Sequence, residues 1–150
     1  MRRIVVAAVL ALTACNGIED TNAAEEQVAA FHAAFDAGQA GPLWDRSAPT
    51  MKEITPRPQF VALLAEMRQR LGNVKSTDQT GWNVNYDTDG SQVTLTYETE
   101  FANGQGTETF IFDTEDPPHL MGWHVESPVL LAPVRSAPGV AEIGKESVGE

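Results

Sequence analysis

The sequence has one cysteine, Cys15, among 150 residues. No intramolecular disulfide can form, so burial and hydrogen bonding alone must hold the fold. Basic residues are scarce too: Lys plus Arg total 10 against 21 Asp plus Glu, giving a formal net charge of −11. An acidic surface repels polyanions, which argues against nucleic acid and against anionic lipid as partners. Long apolar runs are missing. The longest, Ile4 to Leu12, falls well short of the ~20 residues a spanning helix needs. Imidazole is confined to His32, His119 and His124. No H-E-x-x-H or other close ligand spacing occurs, so no metal site is expected. No G-x-S-x-G turn is present to raise a serine nucleophile. These absences lead to the expectation of no catalytic residue, no metal and no cofactor.

What the chain does have begins with a leader. Arg2-Arg3 is followed by the apolar run and then by Leu12-Thr13-Ala14-Cys15, in the manner of a secretory signal peptide. The implied organisation is a leader over 1–14, Cys15 and a polar tether over 15–22, one folded domain over 23–131 and a disordered tail over 132–150. Pro133, Pro138, Gly139, Gly144 and Gly149 punctuate that tail among small and charged residues.

The folded part opens with helices. Thr21-Asn22 offers N-cap residues, Val28, Phe31 and Phe35 recur at helical spacing, and Gly38 suits a C-cap. A short helix at Leu43-Trp44 should end before Pro49, with Thr50 to Thr55 open between helix and strand. A longer helix should start at Thr55-Pro56 and run to Leu71, burying Phe60, Leu63, Leu64, Met67 and Leu71. Strand-like alternation then takes over from about Val74 to Phe112 and again from Leu120. Two-residue turns at Asp89-Gly90 and Asn103-Gly104 would pair Trp82 with Tyr97 and Tyr97 with Phe110. In that register Val93, Leu95, Tyr97, Phe110, Phe112 and Trp82 share the helix-facing side, and Thr94, Thr96, Glu98, Glu100, Thr107 and Thr109 face away. The fold class is α+β, N-terminal helices on one face of a curved four-stranded antiparallel meander.

Candidate chemistry is thin. His124 should lie beside Thr109 on the outer face, with Glu98 one strand further, which reads as a polar sheet face before it reads as a proton relay. Asp87-Thr88-Asp89-Gly90 has the opening of a calcium loop but lacks its later glutamate, and a hairpin turn is needed there. Gly104-Gln105-Gly106 has no following helix and so no phosphate cradle. The aromatics Trp44, Trp82, Tyr86, Tyr97, Phe110 and Trp123 remain. They either pack as core or line a pocket for a small apolar ligand. Glu108 is the one carboxylate the register turns inward, near a strand end.

Leu12-Thr13-Ala14-Cys15 resembles the lipobox of bacterial lipoproteins, which implies acylation of Cys15 and a domain held outside the cytoplasm by its lipid. Asn16 in place of Asp favours the outer membrane by the same likeness. Phe31-His32-Ala33-Ala34-Phe35-Asp36-Ala37-Gly38, Phe60 to Leu64, Arg70 to Ser76 and Gly81-Trp82-Asn83-Val84-Asn85-Tyr86 carry a second resemblance. It is to bacterial envelope lipoproteins of unknown function with a nuclear-transport-factor-2-like, cystatin-cone domain. That likeness carries no established activity; with the only thiol in the leader, scattered histidines and an apolar inward face, the expectation is a non-enzymatic binding or interaction module whose partners are the membrane, a small apolar ligand, another envelope protein or a second copy. Ketosteroid isomerases of the wider fold place carboxylates and tyrosines deep in the cone, so a small-molecule enzyme is the rival expectation. Assembly through the Thr/Glu outer face is a third.

Overall fold

The computed structural model describes residues 16–88 and 90–132; the leader, Cys15, Asp89 and the tail from residue 133 lie outside them. Four helices come first: α1 (Asn16–Asp36), α2 (Ala40–Asp45), α3 (Pro49–Ile54) and α4 (Arg57–Leu71). The strands β1 (Val74–Asn85), β2 (Gln92–Phe101), β3 (Gly104–Asp113) and β4 (Leu120–Glu126) follow, and a final turn of helix, α5 (Pro128–Leu131), ends the described chain. The strands form one antiparallel sheet in the order β1-β2-β3-β4. It does not close into a barrel. The α+β meander read from the sequence is the observed architecture.

Helix α1 begins at Asn16, so residues 16–22 are helical and not a polar tether. Thr21, expected as a cap, is instead buried inside the helix. Its hydroxyl donates to the Gly17 carbonyl at 2.7 Å, the back-bond that lets threonine sit within a helix. The other end matches expectation. Gly38 takes a φ of 69°, and its N–H and that of Gln39 donate to the Phe35 and Ala34 carbonyls, closing the helix. Asp36 ties this end to the sheet: its Oδ1 accepts from the Val74 N–H at 2.9 Å, and its carbonyl accepts from Arg68 Nε at 3.0 Å. Residues 50–54 are helical in α3, led by Pro49. Thr55 closes α3 and Pro56 precedes α4, so Thr55 does not cap α4 as anticipated. Leu63 is 44% exposed, while Phe60, Leu64 and Leu71 carry the buried face of α4.

Both hairpin registers differ from the two-residue turns read in the sequence, and each difference has a cause. At β2–β3 the turn falls on Ala102-Asn103, and Leu95 pairs with Phe110, Val93 with Phe112 and Tyr97 with Glu108. The tip is held by α4: the Asn103 N–H donates to the Leu71 carbonyl, and the Ala102 N–H to that of Asn73. Carbonyls at a helix end need outside partners, and the hairpin tip supplies them. The register therefore moves by two residues, which keeps every side chain on its predicted face. At β1–β2 the ladder ends at Asn85–Gln92, and Trp82 pairs with Leu95 in place of Tyr97. Tyr86 is drawn off the ladder because its hydroxyl donates to Asp20 of α1 at 2.8 Å. A bulge between Gln79 and Gly81 adds one more residue to the offset, so that Tyr97 pairs with Gln79. On β4 regular pairing stops at Glu126, before Pro128, and Ser127 caps α5.

The core lies between α1, α4 and the concave sheet face, with Phe31, Phe35, Phe60, Leu71, Val93, Leu95, Phe101, Phe110 and Phe112 buried. Among the described residues no helix is long and apolar enough to cross a membrane.

Gly72 joins α4 to β1 with φ 78° and ψ −169°, a region that side chains other than hydrogen rarely enter. A Cβ built there would stand 2.7 Å from the Ala102 Cβ. Gly72→Ala is therefore expected to lower the unfolding free energy by about 1–3 kcal/mol. Urea denaturation checks this, and an unchanged midpoint would contradict it.

Candidate functional site

The inward row of β3 reads Gly106, Glu108, Phe110, Phe112, so one carboxyl group interrupts an otherwise apolar line. Glu108 is fully buried, at 0% exposure. The two-residue shift in register carries it away from the strand end, to lie opposite Tyr97 on one side and Val125 on the other. Its oxygens are met from three elements. Trp123 of β4 donates its indole N–H to Oε1 at 2.9 Å. Thr99 of β2 donates its hydroxyl to Oε2 at 2.5 Å. His32 of α1 places Nε2 2.9 Å from the same Oε2. A helix and two strands thus converge on a carboxyl group carried by the strand between them.

Each partner is positioned by ordinary packing. His32 is 9% exposed and turns its ring edge onto Phe110, with centroids 5.5 Å apart. Phe31 beside it meets Phe110 at 5.2 Å and Trp123 at 5.1 Å. Thr99 occupies an inward position two residues from Tyr97 and is 1% exposed. Tyr97 is buried, and burial first, then the negative charges of Glu25 and Glu108, push its phenol up to about 12. It is therefore a neutral hydroxyl over the whole physiological range. The interior is consequently not the almost wholly apolar surface that the sequence suggested. It holds an acid and an imidazole in direct contact.

That contact is sealed rather than open. A groove of about 430 Å³ between α1 and β1 is lined by Ile18, Thr21, Asn22, Glu25, Gln79, Thr80, Gly81 and Trp82. A smaller one between α1 and α4 runs over Phe35, Val61, Leu64 and Arg68. A third lies under α2 against Phe112 and Leu120, and a fourth opens on the polar outer face around Glu98 and Glu100. Thr99 is among the residues that line the fourth, but none of the four is lined by His32, Glu108 or Trp123. No buried side-chain polar atom among the described residues lacks a hydrogen-bond partner. A fully buried carboxyl group with its donors satisfied holds helix to sheet.

Of the six aromatics expected to line a pocket, Tyr97, Phe110 and Trp123 come together in the interior and line none of the four grooves. Tyr97 meets Phe110 edge-on at 6.0 Å. Trp44 lies apart, its indole donating to the Thr55 carbonyl at 2.8 Å with the Lys52 ammonium 5.4 Å from its ring. Trp82 and Tyr86 are 60% and 57% exposed. Trp82 sits on the predicted side of the sheet, opposite Leu95, but α1 does not cover it. His124 stands opposite Thr109 as expected, yet Thr109 pairs onward with Thr96, so the row to Glu98 does not form. His119 is held by Asp113 at 3.0 Å in the β3–β4 connection. Among the described residues no three His, Cys, Asp or Glu side chains gather to hold a metal. Cys15 lies outside the described residues.

The cluster had a signal in the sequence. A carboxylate at an inward strand position needs buried donors, and His32, flanked by Phe31 and Phe35, was the imidazole nearest the apolar helix stripe. What spacing could not give was the register that brings them together.

Replacing Glu108 with Leu would strand three buried groups, each costing about 1–3 kcal/mol, so a loss of roughly 3 kcal/mol or more is expected. Glu108→Gln should cost less, about 1–2 kcal/mol, because the Thr99 hydroxyl and the His32 ring can each reverse donor and acceptor roles. Equilibrium unfolding of both variants checks the order. A neutral Glu108→Leu would mean that the carboxyl group is not structural.

A family model described as a protein of unknown function, DUF4019, matches residues 27–123. The match runs from within α1 to Trp123 and includes His32, Thr99 and Glu108. No curated protein matches the sequence. With well over half of its length matched, the chain belongs to the DUF4019 family of proteins of unknown function.

Proposed function

We propose that this protein is a lipid-anchored domain of the bacterial cell envelope, resembling the nuclear-transport-factor-2-like lipoproteins, that works by binding and not by turnover. The observation that carries the second half is Glu108. The one inward acid has both oxygens engaged, by Trp123 and by Thr99 with His32, is fully buried, and lines none of the four grooves. General acid–base catalysis needs a group within reach of a substrate proton, and this one is out of reach. An acid and a base in contact are also the raw material of an isomerase-like site, which is why turnover remains the rival. The groove between α1 and β1 is the concave surface best placed to receive a partner, with Trp82 as its aromatic wall and Glu25 and Gln79 as polar contacts.

The first half rests on Leu12-Thr13-Ala14-Cys15 and on the short apolar leader before it. The charge of the chain agrees with a partner that is neither nucleic acid nor another polyanion.

Mass spectrometry of protein extracted from membranes is expected to show an acylated N-terminal peptide beginning at Cys15, and Cys15→Ser to release the domain from the membrane fraction. A free thiol at Cys15 would contradict the anchor. The binding half is checked by screening small molecules for thermal stabilisation and following each hit for conversion. Hits should stabilise wild type and Glu108→Gln alike, without product. A compound consumed by wild type but not by Glu108→Gln would make the protein an enzyme.

A further inference from the structure

Among the described residues, three of the six large apolar side chains that are exposed lie beside the start of α1. Ile18 is 57% exposed, Trp82 60% and Tyr86 57%. Ile18 and Trp82 wall the same groove. Tyr86 joins them through its hydroxyl bond to Asp20 at 2.8 Å and its approach to Gly17, whose added Cβ would lie 3.5 Å from that hydroxyl. Single exposed hydrophobics need no explanation, but a cluster containing both a Trp and a Tyr marks a surface that something covers. Both rings pair an apolar body with a polar tip, the combination that settles at the boundary between headgroups and acyl chains.

The chain itself says where that boundary would be. Cys15 is bonded to Asn16, the first residue of α1. Adjacent Cα atoms stand about 3.8 Å apart, so a lipid on Cys15 leaves α1 no tether on which to stand off from the bilayer. We propose that Ile18, Trp82 and Tyr86 form a membrane-docking patch that seats the α1 end of the domain in the interfacial layer of a neutral bilayer surface. This rests on the anchored reading given above. Glu19, Asp20 and Glu25 on the same end of α1 select against an anionic surface, because like charges repel across the few ångströms of contact. Docking fixes the orientation of the domain: the α1–β1 groove opens beside the lipid, where an amphipathic molecule leaving the bilayer would meet it first.

The test anchors the protein independently of cellular acylation. The chain from Cys15 onward carries every described element, and Cys15 is its only thiol. It is coupled through Cys15 to maleimide-functionalised phosphatidylethanolamine in phosphatidylcholine vesicles whose acyl chains are brominated near the headgroup. Tryptophan fluorescence should be quenched. Trp82→Phe should remove most of that quenching, since Trp44 and Trp123 are held in the body of the domain by bonds to Thr55 and Glu108. Ile18→Glu should weaken it without moving the thermal midpoint, and phosphatidylglycerol in the vesicles should reduce it. Absent quenching, or quenching unchanged in Trp82→Phe, would overturn the proposal. So would a dimer of the uncoupled chain that Ile18→Glu dissociates, because a second copy would then cover the patch. A free thiol in the cellular protein removes the natural anchor and leaves this result standing.

Discussion

A carboxyl group buried between a helix and a sheet is tolerated only if donors reach it, and here they come from three separate elements. Trp123, Thr99 and His32 all converge on Glu108. A buried polar group left unpaired is costly, so the α1 rotation, the β2–β3 register and the β3–β4 register must all be right at once. Apolar packing alone is more permissive, because a leucine or phenylalanine stripe can slide or rotate at modest cost. The polar cluster therefore supplies specificity to an interface whose driving force is the burial of Phe31, Phe35, Phe110 and their neighbours.

The rest of the architecture follows from satisfying ends. The carbonyls of Leu71 and Asn73 at the α4 C-terminus accept from the N–H groups of the β2–β3 tip. Asp36 at the α1 C-terminus receives the first strand at Val74. These two joints place the sheet against the helices, the first through backbone carbonyls and the second through the Asp36 side chain. Closing the interior this way has a functional consequence. The four grooves lie at the surface, and none of them is lined by Glu108.

Much of this was legible in the sequence. Alternation along β2 and β3 gave the correct inward set, because a shift of two residues preserves the face. The identity of the pairs was not legible, since the turn residues Asn103-Gly104 looked sufficient while the tip answers to Leu71 and Asn73, far away in sequence. Alternation puts Trp82 on the helix-facing side of the sheet, yet it is exposed. Nothing in periodicity says how far α1 extends over β1. His32 and Glu108 were each noticed singly. Their contact spans 76 residues of chain and needs a three-dimensional register to be seen. The N-terminal boundary was missed because Thr21-Asn22 makes a good cap in isolation, whereas Thr21 here bonds back to Gly17.

The central claim is that Glu108 closes the interior by taking bonds from all sides. Hydrogen exchange of the indole N–H groups tests it most directly, since the chain has three tryptophans in different settings. The Trp123 indole should exchange only through global unfolding, at a rate that tracks overall stability, while that of the exposed Trp82 exchanges freely. A Trp123 indole that exchanges as fast as that of Trp82 under native conditions would show that water reaches Glu108 and that the interior is open.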